Sequence, residues 1–158
     1  MRILLAVLSL TSLVYAADQT ILGKKLQVKD PKPGLDATKR SIIGEGKEKL
    51  SPNTVVGDPT AMGATLTVFA DGTTSGTQTF ALPAALWTAT KTGFKYKDAA
   101  LAQGPVKKAA ITVSKGTFVL QAAVSGKTGG ITLLPPNLGT SGCALLEITG
   151  GDRYHVRF

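Results

Sequence analysis

Cysteine, histidine and tryptophan each occur once in this chain of 158 residues, as Cys143, His155 and Trp87. A single cysteine cannot close an intramolecular bridge, which excludes the disulfide-rich class of small secreted domains. One histidine and one cysteine are too few for a zinc site, and the carboxylates lack the spacing of a calcium loop. The sequence therefore predicts no metal and no cofactor. Cys143 is interpreted as a small buried apolar residue, with an intermolecular bridge as the alternative.

Motifs that carry catalysis are also missing. His155 is the only candidate general base, and the alternation of the last predicted strand places it on the outward face. The segment 140–142 lacks the glycine that a nucleophile elbow requires two residues after its serine, because Cys143 stands there. The segment 126–128 is similar to the end of a phosphate-binding loop, but Gln121 replaces the required earlier glycine. We therefore predict no catalytic residue, no nucleotide site and no enzymatic activity.

Carboxylate pairs could still support glycoside hydrolysis, which needs only two acids. However, Asp58, Asp71 and Asp98 all lie in turn-like contexts, where an aspartate caps its own backbone. We interpret these three acids as turn residues.

The chain opens with an apolar segment. Arg2 precedes apolar residues that continue, interrupted near Ser9, to Val14. The segment is shorter than the roughly 20 residues of a membrane-spanning helix, and small residues at Val14 and Ala16 are typical of a secretory signal peptide. We predict cleavage after Ala16, which leaves residues 17–158 as one secreted domain, periplasmic or extracellular, without a transmembrane segment. Because Arg2 is the only charged residue lost, the net charge falls from +8 to +7.

Apolar residues of the remaining chain recur at every second position, and the breaks between them are rich in Gly, Pro, Asn and Asp. This pattern predicts an all-β fold, an antiparallel β-sandwich or small closed barrel of about nine or ten short strands. A flexible surface loop is expected near residues 44–58. The segments read as strands are 25–29, 41–43, 64–69, 77–82, a short one at Trp87, 93–97, 109–113, 118–122, 131–133, 144–148 and 154–158.

Most aromatic residues fit inward positions of these strands. Trp87, which follows Pro83, is compatible with either the core or its rim. The aromatic residues predicted to be core are Phe69, Phe80, Phe94, Phe118 and Tyr154.

Positive charge is the main functional signal, with 18 basic residues against 10 acidic ones. Lys95 and Lys97 share one face of a predicted strand, and Lys107 and Lys108 open the next. One interpretation is a solvated face that keeps the protein soluble and protects strand edges from pairing with other chains. The alternative is attraction to acidic polysaccharide, lipopolysaccharide or extracellular DNA. These four lysines are the candidate polyanion-binding residues.

Several turn and core signatures occur together along residues 22–158. In them the chain resembles an uncharacterised β-rich repeat of secreted and cell-surface proteins from myxobacteria and other deltaproteobacteria. The resemblance implies a location and a fold, and no activity. It also leads us to expect cysteines at the position of His155 and near Val106, and their absence removes any disulfide. The signatures are Gly57-Asp58-Pro59-Thr60, Gly63-Ala64-Thr65-Leu66, Gln78-Thr79-Phe80, Leu82-Pro83-Ala84 with Trp87, Gly93-Phe94-Lys95-Tyr96-Lys97-Asp98, Gly104-Pro105-Val106-Lys107 and Gly151-Asp152-Arg153-Tyr154.

Three functions remain open at this point. We predict a non-enzymatic secreted or cell-surface β-domain with a structural or interaction role, and the alternative is a basic module that binds an anionic polymer or cell-surface component. A small outer-membrane barrel is the third, since Tyr154, Val156 and Phe158 alternate before the last residue as in such proteins. Against it, spanning strands need about 9–11 residues, and Asp152 interrupts the terminal pattern.

The processing prediction is tested by intact mass and Edman sequencing of material released by cells that express the full chain. The mature protein should begin at Ala17, because cleavage one residue later would place Tyr15 where a small residue is required. Material that keeps residues 1–16 in a membrane fraction would instead reveal an uncleaved anchor.

Overall fold

The computed structural model describes residues 16–158, so residues 1–15 of the predicted signal peptide lie outside the described part. The all-β prediction and the expected number of strands are confirmed. The strands are β1 (Asp18–Lys29), β2 (Ser41–Lys49), β3 (Ala64–Asp71), β4 (Gly76–Leu82), β5 (Trp87–Thr90), β6 (Gly93–Lys97), β7 (Val106–Ser114), β8 (Thr117–Ser125), β9 (Ser141–Ile148) and β10 (Arg153–Arg157).

Within residues 16–158, helical structure is limited to short pieces between strands. Helix α1 covers Pro59–Met62, and single 3₁₀ turns cover Ala37–Lys39 and Ala84–Leu86. Asp58 caps α1 by accepting a hydrogen bond from the Thr60 amide, as its turn-like context predicts. None of the helices within residues 16–158 has the length and apolar character needed to cross a bilayer.

The strands form one curled sheet, a half-barrel, in the order β4-β3-β9-β10-β1-β2-β8-β7-β6-β5. The prediction of an antiparallel arrangement holds for every paired neighbour except β1 and β10, which run parallel. β1 changes partner along its length, because residues 18–22 pair with β10 and residues 23–29 pair with β2. The sheet is therefore mixed, and β1 joins its two halves.

Gly23 marks the point where β1 changes partner, and the strand is irregular between Gly23 and Lys25. A Cβ atom at Gly23 would lie 2.2 Å from the backbone oxygen of Arg157. Only glycine allows β10 to end this close to β1. The parallel pairing of β1 with β10 thus ends at a close approach between the backbones of Gly23 and Arg157.

The curl brings the inner faces of the two halves together around one cluster of buried side chains. The rings of Phe118 on β8 and Tyr154 on β10 lie with centroids 5.2 Å apart, and both residues have no exposed surface. Trp87 is part of the core, with 5% exposure, and its indole nitrogen donates to the Leu82 carbonyl. The core predictions for Phe80, Phe118 and Tyr154 are confirmed.

The core prediction for Phe69 is wrong. Its exposed fraction is 36%, whereas its neighbours Val68 and Ala70 on β3 are buried. Strict alternation along β3 puts Leu66, Val68 and Ala70 on the inner face, so Phe69 points outward. Phe94 is partly buried and packs against the edge of the core.

The predicted loop at residues 44–58 is also wrong in its first part, because β2 continues to Lys49. Gly44 and Gly46 resemble turn residues, but both are buried strand positions where the opposite half comes close. A Cβ at Gly46 would lie 2.8 Å from the Val156 side chain. These glycines allow close packing across the core, and the loop itself covers residues 50–58.

The predicted strand 131–133 is an extended segment without a strand partner. Ile131 and Leu133 are buried as their alternation predicts. The Gln78 side chain on β4 takes the place of a neighbouring strand, since its Oε1 accepts hydrogen bonds from the amides of Thr132 and Leu133 at 2.9 and 3.0 Å. The Gln78 side chain thus accepts hydrogen bonds from two backbone amides that a neighbouring strand would accept in a regular sheet.

The hairpin of β7 and β8 is confirmed with a two-residue turn. Lys115 and Gly116 both have positive φ, 49° and 70°, as a type I′ turn requires. The predicted hairpins of β3 with β4 and of β9 with β10 are confirmed as well.

Truncating the central aromatic residue tests the core. Phe118→Ala should lower the free energy of unfolding by about 3–5 kcal/mol, because it leaves a cavity beside Tyr154. Phe69→Ala is the matched control and should cost about 1–2 kcal/mol, since a third of that residue is already exposed. Urea unfolding followed by tryptophan fluorescence measures both. Equal losses in the two variants would mean that the two phenylalanines are equally buried.

Candidate functional site

The four candidate lysines lie on the outer surface of β6 and β7. Tyr96 is buried with 2% exposure, so the alternation of β6 turns its neighbours Lys95 and Lys97 outward. In the antiparallel pair, Lys97 lies opposite Lys108 and Lys95 lies opposite Ala110. Strand pairing thereby brings lysines from two separate segments of the sequence to one surface.

Lys107 joins the same surface because β7 is irregular at its start. The register with β8 shifts between Val106 and Lys108, so β7 advances two residues where β8 advances one. In a regular strand Lys107 and Lys108 would point to opposite faces, but here both are exposed between buried Val106 and Ala109. A β-bulge of this kind redirects side chains. It doubles the number of charges at this end of β7.

Together these lysines border a shallow groove of about 320 Å³. We call this surface the lysine groove. Its lining combines small and apolar side chains with the stems of the four lysines, which are exposed residues. The lining residues are Lys95, Tyr96, Lys97, Ala99, Lys107, Lys108, Ala109, Ala110 and Gln121.

The lysine groove is not neutralised by its neighbours. No ion pair within residues 16–158 includes any of the four lysines, and no acidic side chain lines the groove. Lys97 and Lys108 face each other directly, an arrangement that costs stability unless an anion is near. The result is an uncompensated cluster of positive charge.

Asp98 follows Lys97 directly and is nevertheless used elsewhere. Its carboxylate is buried and accepts hydrogen bonds from the amides of Ala102 and Gln103, at 3.0 and 2.7 Å. Its own amide donates to the Lys107 carbonyl at 3.0 Å. Asp98 thus acts as the predicted turn residue. Its hydrogen bonds fix the loop between β6 and β7, the two strands that carry the four lysines.

Three basic residues outside the groove, Lys24, Arg40 and Arg153, form ion pairs within residues 16–158. Lys24 pairs with Glu45 at 2.9 Å on the outer surface. Arg40 pairs with Asp30 at 3.0 Å and also donates to the Ile131 carbonyl, which ties the 3₁₀ turn to the segment after β8. The positive charge near the start of the chain is therefore partly used in structural contacts, in contrast to the lysine groove.

A second cavity, of about 400 Å³, lies between the second half of β1 and the loop before β9. Polar side chains in it come from Gln27, Asn137, Thr140 and Ser141. None of its lining residues is acidic, basic, histidine or cysteine, so its walls offer no general acid or base.

His155 and Cys143 lie on the adjacent strands β10 and β9, and within residues 16–158 no hydrogen bond joins their side chains. His155 lies on β10 with its Nε2 3.4 Å from the Asp18 carboxylate, which also contacts Arg153. Cys143 lies on β9 opposite Arg157, and burial raises the pKa of its thiol. A raised pKa disfavours the thiolate, which is the nucleophilic form of cysteine.

Asp152 is the residue that sequence reasoning missed. It precedes β10 after two glycines and resembles an ordinary turn residue, yet it has no exposed surface. Its Oδ2 accepts hydrogen bonds from the Val56 amide at 2.8 Å, the Tyr154 hydroxyl at 3.3 Å and the Gln19 side chain. Its Oδ1 accepts one from the Ala17 amide at 2.9 Å. Burial and the Asp152 charge raise the pKa of Tyr154.

No family model, curated protein or solved structure matches this chain. Arguments about its function therefore depend on its own residues.

The thiol of Cys143 should react slowly with a disulfide reagent at pH 8, because its raised pKa leaves little thiolate at that pH. Unfolding the protein in urea should accelerate the reaction, which absorbance of the released thiol measures. Cys143 is partly buried, not fully buried as its sequence context predicts. A native protein that reacts as fast as the unfolded one would contradict this partly buried environment, and a protein without a free thiol would indicate an intermolecular bridge.

Proposed function

We propose that this protein is a non-enzymatic, secreted β-domain that binds anionic polymers through the lysine groove. The observation that carries the proposal is the convergence of Lys95, Lys97, Lys107 and Lys108 on one surface without an acidic partner. Folding has placed like charges side by side, and a bound anionic ligand would offset their mutual repulsion.

Charge density makes this surface more than a solubility coat. A coat needs only dispersed charges, and dispersed lysines elsewhere on the chain supply them. In the lysine groove, the four lysines instead come from the two adjacent strands β6 and β7, with the bulge at the start of β7 contributing Lys107. Their fields add over distances shorter than the screening length of about 10 Å at moderate salt.

Chemistry of the groove favours recognition of charge over recognition of bases. Nucleic-acid binders that read single strands offer exposed aromatic rings for stacking. Tyr96, the only aromatic residue that lines the groove, has 2% exposure. The ligand class that fits is a polymer with regularly spaced sulfate, carboxylate or phosphate groups, such as acidic polysaccharide, and duplex DNA would bind through its phosphates alone.

A binding role also agrees with the rest of the molecule. The cavity between β1 and the loop before β9 has no titratable side chain on its walls, and His155 contacts a surface carboxylate, not a nucleophile. Most of the chain contributes to the sheet that supports the groove.

Charge removal at the groove tests the proposal. The quadruple variant Lys95→Gln, Lys97→Gln, Lys107→Gln and Lys108→Gln should bind a heparin-like polysaccharide at least tenfold more weakly. On duplex DNA the slope of log affinity against log salt should decrease by up to about 3–4, since each lost phosphate contact removes about 0.9. Titration calorimetry at several salt concentrations measures both quantities.

The matched control replaces four exposed lysines of three different turns by glutamine, namely Lys32, Lys39, Lys91 and Lys115. It removes the same charge from outside the groove and should weaken binding less than threefold. Both variants should keep the melting temperature within a few degrees, because all eight side chains are exposed. Equal losses of affinity would show non-specific attraction and leave a purely structural role.

A further inference from the structure

Asp152 is a completely buried carboxylate without a cationic partner. Its hydrogen-bond donors are two backbone amides, one amide side chain and one hydroxyl, all of them neutral. None of the ion pairs formed within residues 16–158 includes it. A buried ionised carboxylate is expensive unless a positive charge lies beside it. A single positive charge beside Asp152 would therefore stabilise this network.

The backbone nitrogen of Ala17 is the atom best placed to carry this positive charge. It lies 2.9 Å from Oδ1 of Asp152, within the range of a charge-assisted hydrogen bond. The Ala17 carbonyl accepts from the Arg153 amide at 2.9 Å, so the residue is held from both sides. Ala16 and Ala17 themselves are exposed, which leaves the bond between them accessible.

Two independent observations select the same residue. The small residues Val14 and Ala16 predict that processing makes Ala17 the first residue of the mature chain. Near the start of β1, Ala17 is the residue of the described part of the chain whose backbone nitrogen lies on the buried carboxylate; Gln19 reaches it with its side-chain amide.

We propose that removal of residues 1–16 converts the Ala17 nitrogen into an α-ammonium group that pairs with Asp152 and locks the mature fold. A signal peptidase would hydrolyse the amide bond between Ala16 and Ala17 with one water molecule. The carboxyl group stays with Ala16, and the released amine takes up a proton. The donor in the 2.9 Å contact changes from a neutral amide to an ammonium group, so the hydrogen bond becomes an ion pair without movement of the chain.

This pair would stabilise several segments at once. Asp152 also holds the Gln19 side chain on β1, the Val56 amide in the loop 50–58 and the Tyr154 hydroxyl on β10. An ionised, compensated carboxylate strengthens each of these hydrogen bonds. Export and folding are thereby coupled, since the precursor lacks the charge that completes the network.

The experiment uses the full chain, expressed and exported, with one alanine inserted between Ala16 and Ala17. Cleavage after Ala16 is retained, because a cut after the inserted residue would put Tyr15 at the position that requires a small side chain. In the product the first ammonium lies one residue away, and the Ala17 nitrogen is again a neutral amide. The insertion is combined with Asp152→Asn to give four proteins, and intact mass establishes each first residue.

Urea unfolding of the four proteins measures the coupling. The insertion should increase the unfolding equilibrium constant at least tenfold with Asp152 present and less than twofold with asparagine in its place. If the insertion changes the unfolding equilibrium equally with Asp152 and with asparagine, or does not change it, the proposed ion pair does not exist. A wild-type mature chain that begins at a residue other than Ala17 would overturn it as well. The inference requires export and not anion binding, so these outcomes are separate from those of the lysine variants.

A second measurement avoids the asparagine variants, should they fail to fold. An amine-selective acylating reagent is applied at pH 7.5 to the wild-type mature protein and to the insertion protein, and the N-terminal peptide is analysed by mass spectrometry. An ordinary α-amine has a pKa of about 7.7–8.0 and is reactive at this pH. The paired amine should react at least tenfold more slowly than the displaced one. Equal rates would refute the proposal.

Discussion

One buried carboxylate connects the parts of this fold that are most distant in sequence. Asp152 accepts hydrogen bonds from the start of β1, from the loop 50–58 and from Tyr154 on β10. Its amide also donates to the Val56 carbonyl at 2.9 Å, so the loop is held in both directions. The parallel pairing of β1 with β10 begins at this point, and the two halves of the sheet are joined only through β1. The curl of the sheet therefore depends on a polar contact as well as on its apolar core.

Close packing across the curl explains both the fold and its departures from the sequence pattern. The alternation of apolar residues predicts the strands, because one face of each must be buried. It does not reveal that Gly44 and Gly46 serve close approach, since glycine is equally typical of turns. Nor does it show that Gln78 replaces a strand beside residues 131–133, or that β1 changes partner at Gly23. Each of these features depends on contacts between residues far apart in the chain.

The same distinction applies to the candidate functional residues. Alternation alone places Lys95 and Lys97 on one face, and the hairpin pattern predicts that β7 is a strand. The grouping of four lysines additionally requires the β6–β7 register and the bulge at Lys107, which no local signal in the sequence indicates. Asp152 could not be recognised at all, because a Gly-Gly-Asp sequence is typical of an exposed turn. Its burial follows from the approach of Val56, whose carbonyl oxygen would lie 2.4 Å from a Cβ at Gly151.

The two polar centres of the molecule use charge in opposite ways. Asp152 is an anion enclosed by donors inside the protein, where low polarity makes every compensating contact strong. The lysine groove is a set of cations on the outer surface, where water weakens each interaction and only several together attract a ligand. Asp98 directly follows β6 and lies next to the groove, with its buried carboxylate held by the amides of Ala102 and Gln103. Burial and the Asp98 charge together raise the pKa of Tyr96, which lines the groove, so this internal anion is felt at the surface that the lysines form.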